Sequence, residues 1–190
     1  MSITDITCTT LTIDNWNQFE NLFGEKGACG GCWCMYWRLK RSEFEKNKGV
    51  RNYSLMKNYV KDGFIPGLIA FDGNDPVGWC SIGKRTDFST LSRSRILKKI
   101  DDQPVWSIVC FFVKKEFRYK GVSTILIEAC KDFVIKQGGS IIEAYPIEPK
   151  KDKMPDVFAW TGFASSFRKA GFIEVKRRSE TRPIMRFALS

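Results

Sequence analysis

Short apolar runs separated by turn residues predict β-strands along most of the chain. The clearest pair covers residues 66–71 and 77–83, and the polar segment DGNDP between them predicts an antiparallel hairpin. Residues 105–113 form an unbroken apolar run, which is typical of a strand covered on both faces. Further strands are predicted at residues 6–13, 140–146, 173–178 and 182–189.

Apolar residues three and four positions apart predict the helices. Trp16 and Phe19 begin one such face, and we expect this helix to start after a cap at Asp14 and to end at Gly24. The longest amphipathic segment follows Gly121 and ends at two consecutive glycines. Further helices are predicted at residues 50–61, 91–98 and 158–172.

Length and composition favour one folded unit. The 190 residues lie within the size range of a single domain and contain no internal repeat, so we expect one α/β (α+β) domain over 1–190. A leader segment and a run of 18 apolar residues are both missing from the sequence, which predicts a cytoplasmic protein without membrane contact. The seven cysteines are expected to be reduced there.

The net charge and the absence of histidine restrict the possible partners and catalytic residues. A formal net charge of +10 favours anionic partners, such as nucleic acid, a membrane surface or the phosphates of a nucleotide cofactor. The absence of histidine means that any proton transfer must use Glu, Asp, Tyr, Cys, Lys or water. RNP, zinc-finger and helix-turn-helix patterns are also absent, which argues against a nucleic-acid-binding protein.

The turn before the longest helix has the chemistry of an anion site. It reads FRYKGVS, so that Gly121 lies where the helix begins and Arg118 and Lys120 add positive charge. Free amides at a helix N-terminus bind anions, and glycine lets a phosphate approach the backbone closely. Taken alone, such a turn is more often a plain strand-to-helix connection with solvated basic residues.

In its context, the segment VKKEFRYKGVSTIL resembles the acetyl-CoA motif Q/R-x-x-G-x-G/A of the GNAT superfamily of N-acetyltransferases. Arg118, Gly121 and Ser123 occupy its defined positions, with Ser123 in place of the usual Gly or Ala. The hairpin at 67–83 resembles the second and third family strands, and FRKAGFIEV resembles the closing helix and strand. The resemblance covers about residues 65–178.

This resemblance implies the GNAT fold, a mixed central sheet of about six to seven strands with splayed central strands, flanked by about four helices. Residues 65–190 would form the cofactor-binding core, and residues 1–64 would supply the acceptor-side helices and loop. The implied cofactor is acetyl-CoA, with CoA as product, and the implied binding residues are Phe111, Phe112, Val113, Arg118, Tyr119, Lys120, Gly121, Val122, Ser123 and Thr124.

The implied reaction is transfer of an acetyl group to a primary amine by direct attack. Glu143 is the candidate base, because a carboxylate in an otherwise apolar strand needs a reason, and Tyr145 would share its face. An exposed position or a pairing with Arg would explain Glu143 equally well. Many family members place a Tyr in the last helix to protonate the departing thiolate, and here Phe167 occupies that position.

The segment CGGCWCMYWR combines cysteines with aromatic residues, and several interpretations stay open. These interpretations are a metal site, a redox pair, simple core packing, and a lid that forms the acceptor pocket. The favoured interpretation is the pocket, and no metal is expected. The acceptor, a small-molecule or peptide amine, would then contact Trp33, Trp37, Arg38 and Trp79.

Two other functions are also compatible with the sequence. A basic nucleic-acid-binding protein is suggested by the charge, and a CoA-binding regulatory module without catalysis is suggested by Phe167. A homodimer is also left open by the sequence.

Overall fold

The computed structural model describes residues 6–150 and 159–189, and its strands form one seven-stranded sheet in the order β1-β2-β3-β4-β5-β7-β6. Among the described strands, β4 and β5 are parallel and every other neighbouring pair is antiparallel, so the sheet is mixed as expected. The strands are Ile6–Thr10 (β1), Gly67–Asp72 (β2), Asp75–Lys84 (β3), Trp106–Val113 (β4), Ile141–Ala144 (β5), Ile173–Arg177 (β6) and Pro183–Ala188 (β7).

Six α-helices accompany the sheet in the described residues, somewhat more than the sequence suggested. The helix that was missed, α2, buries only Phe44 and therefore shows no apolar periodicity. The helices are Trp16–Phe23 (α1), Arg41–Asn47 (α2), Val50–Lys61 (α3), Ser89–Arg93 (α4), Val122–Lys136 (α5) and Ala164–Lys169 (α6). In these residues no helix has the length and hydropathy needed to cross a membrane.

Three predicted helix boundaries were wrong. Asn15, not Asp14, precedes α1, and its side chain ties the helix to β1: Oδ1 accepts from the Thr12 amide at 2.8 Å and Nδ2 donates to the Thr10 carbonyl at 2.9 Å. The helix predicted at 91–98 is Ser89–Arg93 in the structure. Within the described residues 159–172, the helix predicted at 158–172 is confined to α6, because Gly162 before it has a φ of +79°, which a helix does not accommodate; residue 158 lies outside the described residues.

Both faces of the sheet are covered. Helices α5 and α6 pack against one face, which we call the α5 face, through residues such as Leu126, Ile127 and Phe167. On the opposite face, α1, α3 and the loop between α1 and α2 pack against the hairpin through Phe19 and Trp79. The core is therefore two apolar layers separated by the sheet.

An irregularity in β4 changes the face of the sheet to which its side chains point. Ser81 pairs with Cys110 but Ile82 pairs with Ile108, so Val109 is an extra residue and β4 contains a β-bulge. Ile108 and Phe111 pack on the α5 face, whereas Val109 and Cys110 both pack on the opposite face. Without the bulge, strict alternation would direct Cys110 toward α5.

The two parallel strands separate after three residue pairs. Trp106, Ser107 and Ile108 pair with β5, and β5 ends at Ala144 while β4 continues to Val113. The segment 159–163 lies beside the continuing part of β4, where the Phe111 amide donates to the Trp160 carbonyl at 2.6 Å. We call residues 110–113 the free half of β4. The expected splaying of the central strands is confirmed.

A buried ionic network joins the paired strands on the face opposite α5. The carboxylate of Glu143 in β5 accepts from Tyr145 Oη at 2.6 Å, from Arg85 Nη1 at 3.0 Å and from Arg186 Nε in β7 at 2.8 Å. Ser107 Oγ lies 3.0 Å from Tyr145 Oη. Glu143 is fully buried, so its charge is balanced by two guanidinium groups and its oxygens are hydrogen-bonded.

Glu143→Gln is expected to lower the free energy of unfolding by about 3 kcal/mol, because it removes the counter-charge of Arg85 and leaves Arg186 with Asp101 alone. Chemical denaturation followed by tryptophan fluorescence measures the change. The matched control is Glu174→Gln, since Glu174 pairs with Arg177 and Arg168 near the surface and should contribute less than about 1 kcal/mol. Equal losses in the two variants would contradict a structural role for the network.

Candidate functional site

The separation of β4 from β5 opens a cavity of about 930 Å³. A volume of this size accommodates a large ligand. The free half of β4 forms one wall, and the other walls come from the turn before α5, the segment 159–169 and the region 28–48 of the N-terminal part. The cavity is thus bounded by both the strands of the sheet and the loop rich in cysteine and aromatic residues.

One end of the cavity is built by the start of α5. Gly121 precedes this helix with a left-handed φ of +83°, and a Cβ atom there would meet nothing within 4 Å. The amides of Thr124 and Ile125 donate to the Gly121 carbonyl at 2.9 and 3.1 Å, so the amides of Val122 and Ser123 precede the first bonds of the helix. The helix dipole makes this end attractive to an anion.

The residues predicted to bind the cofactor converge on this end and on the free half of β4. All of them line the cavity except Lys120, whose ammonium lies over the Phe117 ring at 5.3 Å from its centroid. Arg118 is held in place by a hydrogen bond from Nε to the Val113 carbonyl at 3.2 Å. The cavity-lining set is Phe111, Phe112, Val113, Arg118, Tyr119, Gly121, Val122, Ser123 and Thr124.

The residues predicted to bind the acceptor do not line the cavity. Trp33, Trp37, Arg38 and Trp79 are all buried and belong to the packed layers around it. Trp79 packs edge-on against Phe19 with ring centroids 4.8 Å apart. The interpretation of these aromatic residues as core packing therefore describes their surroundings better than the interpretation as a pocket wall.

A different aromatic group faces the cavity. The Tyr36 ring meets Phe44 and Trp160 edge-on, at centroid distances of 5.3 and 5.1 Å, and all three residues line the cavity. Beside Phe44, Glu45 and Lys48 form an ion pair at 2.5 Å and also line it. Sequence reasoning missed this group because its members come from three separate segments and only Tyr36 belongs to the cysteine-aromatic loop.

The predicted catalytic pair lies outside the cavity. Glu143 and Tyr145 are fully buried in the ionic network, and neither lines the cavity. Burial, followed by the charge of Glu143, raises the pKa of Tyr145 well above its usual value, so the phenol stays protonated. Phe167 is also fully buried, whereas Ser165 and Ser166 beside it bring hydroxyl groups to the cavity wall.

Four cysteines line the cavity: Cys29, Cys32, Cys34 and Cys110. Trp79 Nε1 donates to Cys34 Sγ at 3.2 Å. Hydrogen bonding with Cys110, together with Ser81, the charge of Arg38 and Trp79, outweighs burial and lowers the pKa of Cys34 to about 7. Burial instead raises the pKa of Cys32 to about 11.

Cys29, Cys32 and Cys34 of the cysteine-rich loop form no disulfide in the structure. Within residues 6–150 and 159–189, no three side chains of Cys, Asp or Glu are grouped so that they could hold a metal ion. All seven cysteines are free thiols.

Comparisons with known proteins agree with this architecture. Residues 33–163 match the acetyltransferase (GNAT) family profile, while a search of curated proteins by sequence found no match. The chain resembles the PaiA N-acetyltransferase of Thermoplasma acidophilum solved with coenzyme A (TM-score 0.53, 15% identity, 96% of this chain and 98% of that one). It also resembles a GNAT-family acetyltransferase of Listeria monocytogenes (TM-score 0.57, 9% identity, 97% of this chain and 95% of that one). A third similar structure is the ribosomal-protein-S18-alanine N-acetyltransferase of Escherichia coli (TM-score 0.50, 12% identity, 97% of this chain and 94% of that one).

At such low identity, the structural likeness shows the fold alone. The profile match shows the family. The matched segment is more than half of the chain and contains β2, β3, β4, α5 and β5, of which β4 and the start of α5 line the cavity. The chain therefore belongs to the GNAT family and is an N-acetyltransferase that uses acetyl-CoA as its acetyl donor.

Proposed function

We propose that this protein transfers the acetyl group of acetyl-CoA to a primary amine of a small molecule or peptide inside the cavity beside β4. The observation that carries the proposal is the cavity itself, which has a helix N-terminus at one end and a cluster of thiols and aromatic rings at the other. Acetyl-CoA supplies an acetyl thioester and leaves as CoA.

The residues at the α5 end fit the diphosphate of this donor. The open approach at Gly121, the leading amides of α5 and the guanidinium of Arg118 combine a close backbone with positive charge. The free half of β4 continues from this end toward the bulge and offers an extended edge to the rest of the molecule. The net charge of +10 attracts the same ligand over longer distances.

The acceptor end is proposed to be the group of Tyr36, Phe44 and Trp160. Their rings enclose one side of the cavity, and an alkylammonium group is attracted to the faces of such rings. Glu45 adds a carboxylate next to them. These residues take the place of Trp33, Trp37, Arg38 and Trp79 in the proposed acceptor site, and the N-terminal region keeps its expected acceptor-side role.

Proton transfer is proposed to use groups other than Glu143 and Tyr145. The amine must lose a proton before its nitrogen attacks a thioester carbonyl, and the acceptor of that proton has to reach the cavity. Glu143 is held away by Arg85 and Arg186, so its role is structural. Ser165 and Ser166 are the hydroxyl groups of α6 on the cavity wall, and they stand close to the position where Phe167 lacks one.

Amine-dependent release of CoA tests the proposed function. The protein is incubated with acetyl-CoA and a panel of polyamines, amino acids, aminoglycosides and peptides, and free thiol and acetylated product are measured together. We expect at least one acceptor to raise thiol release well above hydrolysis and to gain one acetyl group. If no member of a broad panel does so while acetyl-CoA binds, the protein is a binding module and the proposal fails.

Gly121→Glu is expected to weaken acetyl-CoA binding roughly a hundredfold. The substitution adds a negative charge at the proposed phosphate site, and it places a side chain on a left-handed backbone. Calorimetry measures the affinity. Gly138→Glu is the matched control, because Gly138 follows α5 with a φ of +70° and equally open surroundings but lies away from the cavity. Equal affinities of the two variants would place the phosphates elsewhere.

A further inference from the structure

The inner end of the cavity holds a cluster of polar groups that transfer by direct attack leaves unused. We call it the Cys34 cluster, formed by Cys34, Cys110, Ser81, Trp79 and Arg38. Cys34 and Cys110 line the cavity, and the other three residues lie behind them in the buried layer. Its members come from the N-terminal loop, β3 and β4, so tertiary packing brings them together.

A buried donor points at the Cys34 sulfur. Trp79 Nε1 donates to Cys34 Sγ at 3.2 Å, and Cys110, Ser81 and Trp79 are among the neighbours that lower the pKa of Cys34. A donor directed at a sulfur favours its thiolate form over the thiol. The bulge in β4 contributes directly, because it turns Cys110 from the α5 face toward Cys34.

A buried cation supplies the matching charge. Arg38 is 7% exposed, its Nη2 donates to the Pro66 carbonyl at 3.0 Å, and its Nε has no hydrogen-bond partner in the described part of the chain. Burial lowers the pKa of Arg38, and the largest opposing influence is Cys34. A buried guanidinium is costly unless a negative charge lies near it, so Arg38 and a Cys34 thiolate stabilise each other.

The backbone around Cys34 is unusual as well. Trp33 and Cys34 have φ values of +45° and +60°, a region that residues with a Cβ rarely adopt. Such a conformation is strained and persists only where the surrounding structure requires it. These two backbone conformations place the Trp33 side chain in the core and the adjacent Cys34 thiol at the cavity wall.

We propose that Cys34 is a catalytic nucleophile that carries the acetyl group between CoA and the amine. This proposal rests on the proposed acetyl transfer and specifies its route. The Cys34 thiolate attacks the thioester carbonyl, a new sulfur–acetyl bond forms, and the bond to CoA breaks as CoA leaves as a thiolate that takes a proton from a hydroxyl or water. The neutral amine then attacks acetyl-Cys34, the sulfur–acetyl bond breaks to regenerate the Cys34 thiolate, and the proton lost by the nitrogen passes to water.

Each step exchanges one acyl bond for another, so no oxidant, reductant or metal is required. A thiolate is a strong nucleophile at neutral pH when nearby donors stabilise it. Cys34 suits this role better than Cys32, which lies in the same loop and lines the same cavity, because burial raises the pKa of Cys32 and keeps it protonated.

The first test is the mass of the protein after incubation with acetyl-CoA and no amine. We expect a gain of one acetyl group on Cys34, sensitive to hydroxylamine and lost when an accepted amine is added. Cys34→Ser should not form this thioester, and Cys32→Ser, the matched control, should form it normally. In case Cys34→Ser folds poorly, Trp79→Phe keeps the thiol, removes one donor and should slow the acetylation several-fold.

The outcomes separate the two proposals. Amine acetylation without any adduct, or an adduct on another cysteine, would overturn the Cys34 route and leave acetyl transfer by direct attack in place. Neither adduct nor acetylated amine would overturn the proposed function itself. Amine-dependent loss of the adduct at the rate of turnover supports both.

The second test uses the protein alone and iodoacetamide at varied pH, with peptide mass spectrometry to follow each cysteine. Alkylation of Cys34 should be half-maximal near its pKa of about 7, because the thiolate is the reacting form and increases as pH rises through that value. Alkylation of Cys32 should keep increasing with pH, since its pKa is about 11. Trp79→Phe should move the Cys34 midpoint upward, and an unmoved midpoint would mean that the cluster does not activate the thiol.

Discussion

The separation of β4 from β5 is the constraint on which the rest of the molecule depends. Strand β5 pairs with β4 over three residues and ends at Ala144, and Pro146 two residues later has no amide hydrogen to continue the ladder. The free half of β4 therefore has a long edge that regular sheet does not occupy. Segment 159–163 covers only part of it, and the cavity is the space that remains.

Two local distortions direct thiols into that space. The bulge at Val109 changes the face to which Cys110 points, and the left-handed backbone at Trp33 and Cys34 turns the loop so that its thiol faces the cavity. Both are departures from regular geometry in otherwise well-packed regions. Bulges and strained residues are common next to functional sites, because they aim a side chain where regular structure would not.

The ionic network gives Glu143 a structural role and keeps it out of the cavity wall. Glu143 lies in an apolar strand and is surrounded by Arg85, Arg186 and Tyr145, which satisfy both of its oxygens. A carboxylate held in this way is a poor proton acceptor for a ligand, and it does not line the cavity. Cys34, by contrast, lines the cavity and has the Trp79 donor behind it.

The sequence by itself determined the order of the elements and the anion end of the cavity, because local patterns govern both. The hairpin, the apolar strand and the helix after Gly121 follow from periodicity and turn chemistry, and the amides of α5 lie beside β4 wherever strand, glycine turn and helix follow one another. Tertiary structure alone decided which polar residues reach the cavity. The bulge, the burial of Trp33, Trp37, Arg38 and Trp79, and the arginines around Glu143 depend on contacts between residues distant in sequence, which local patterns do not encode.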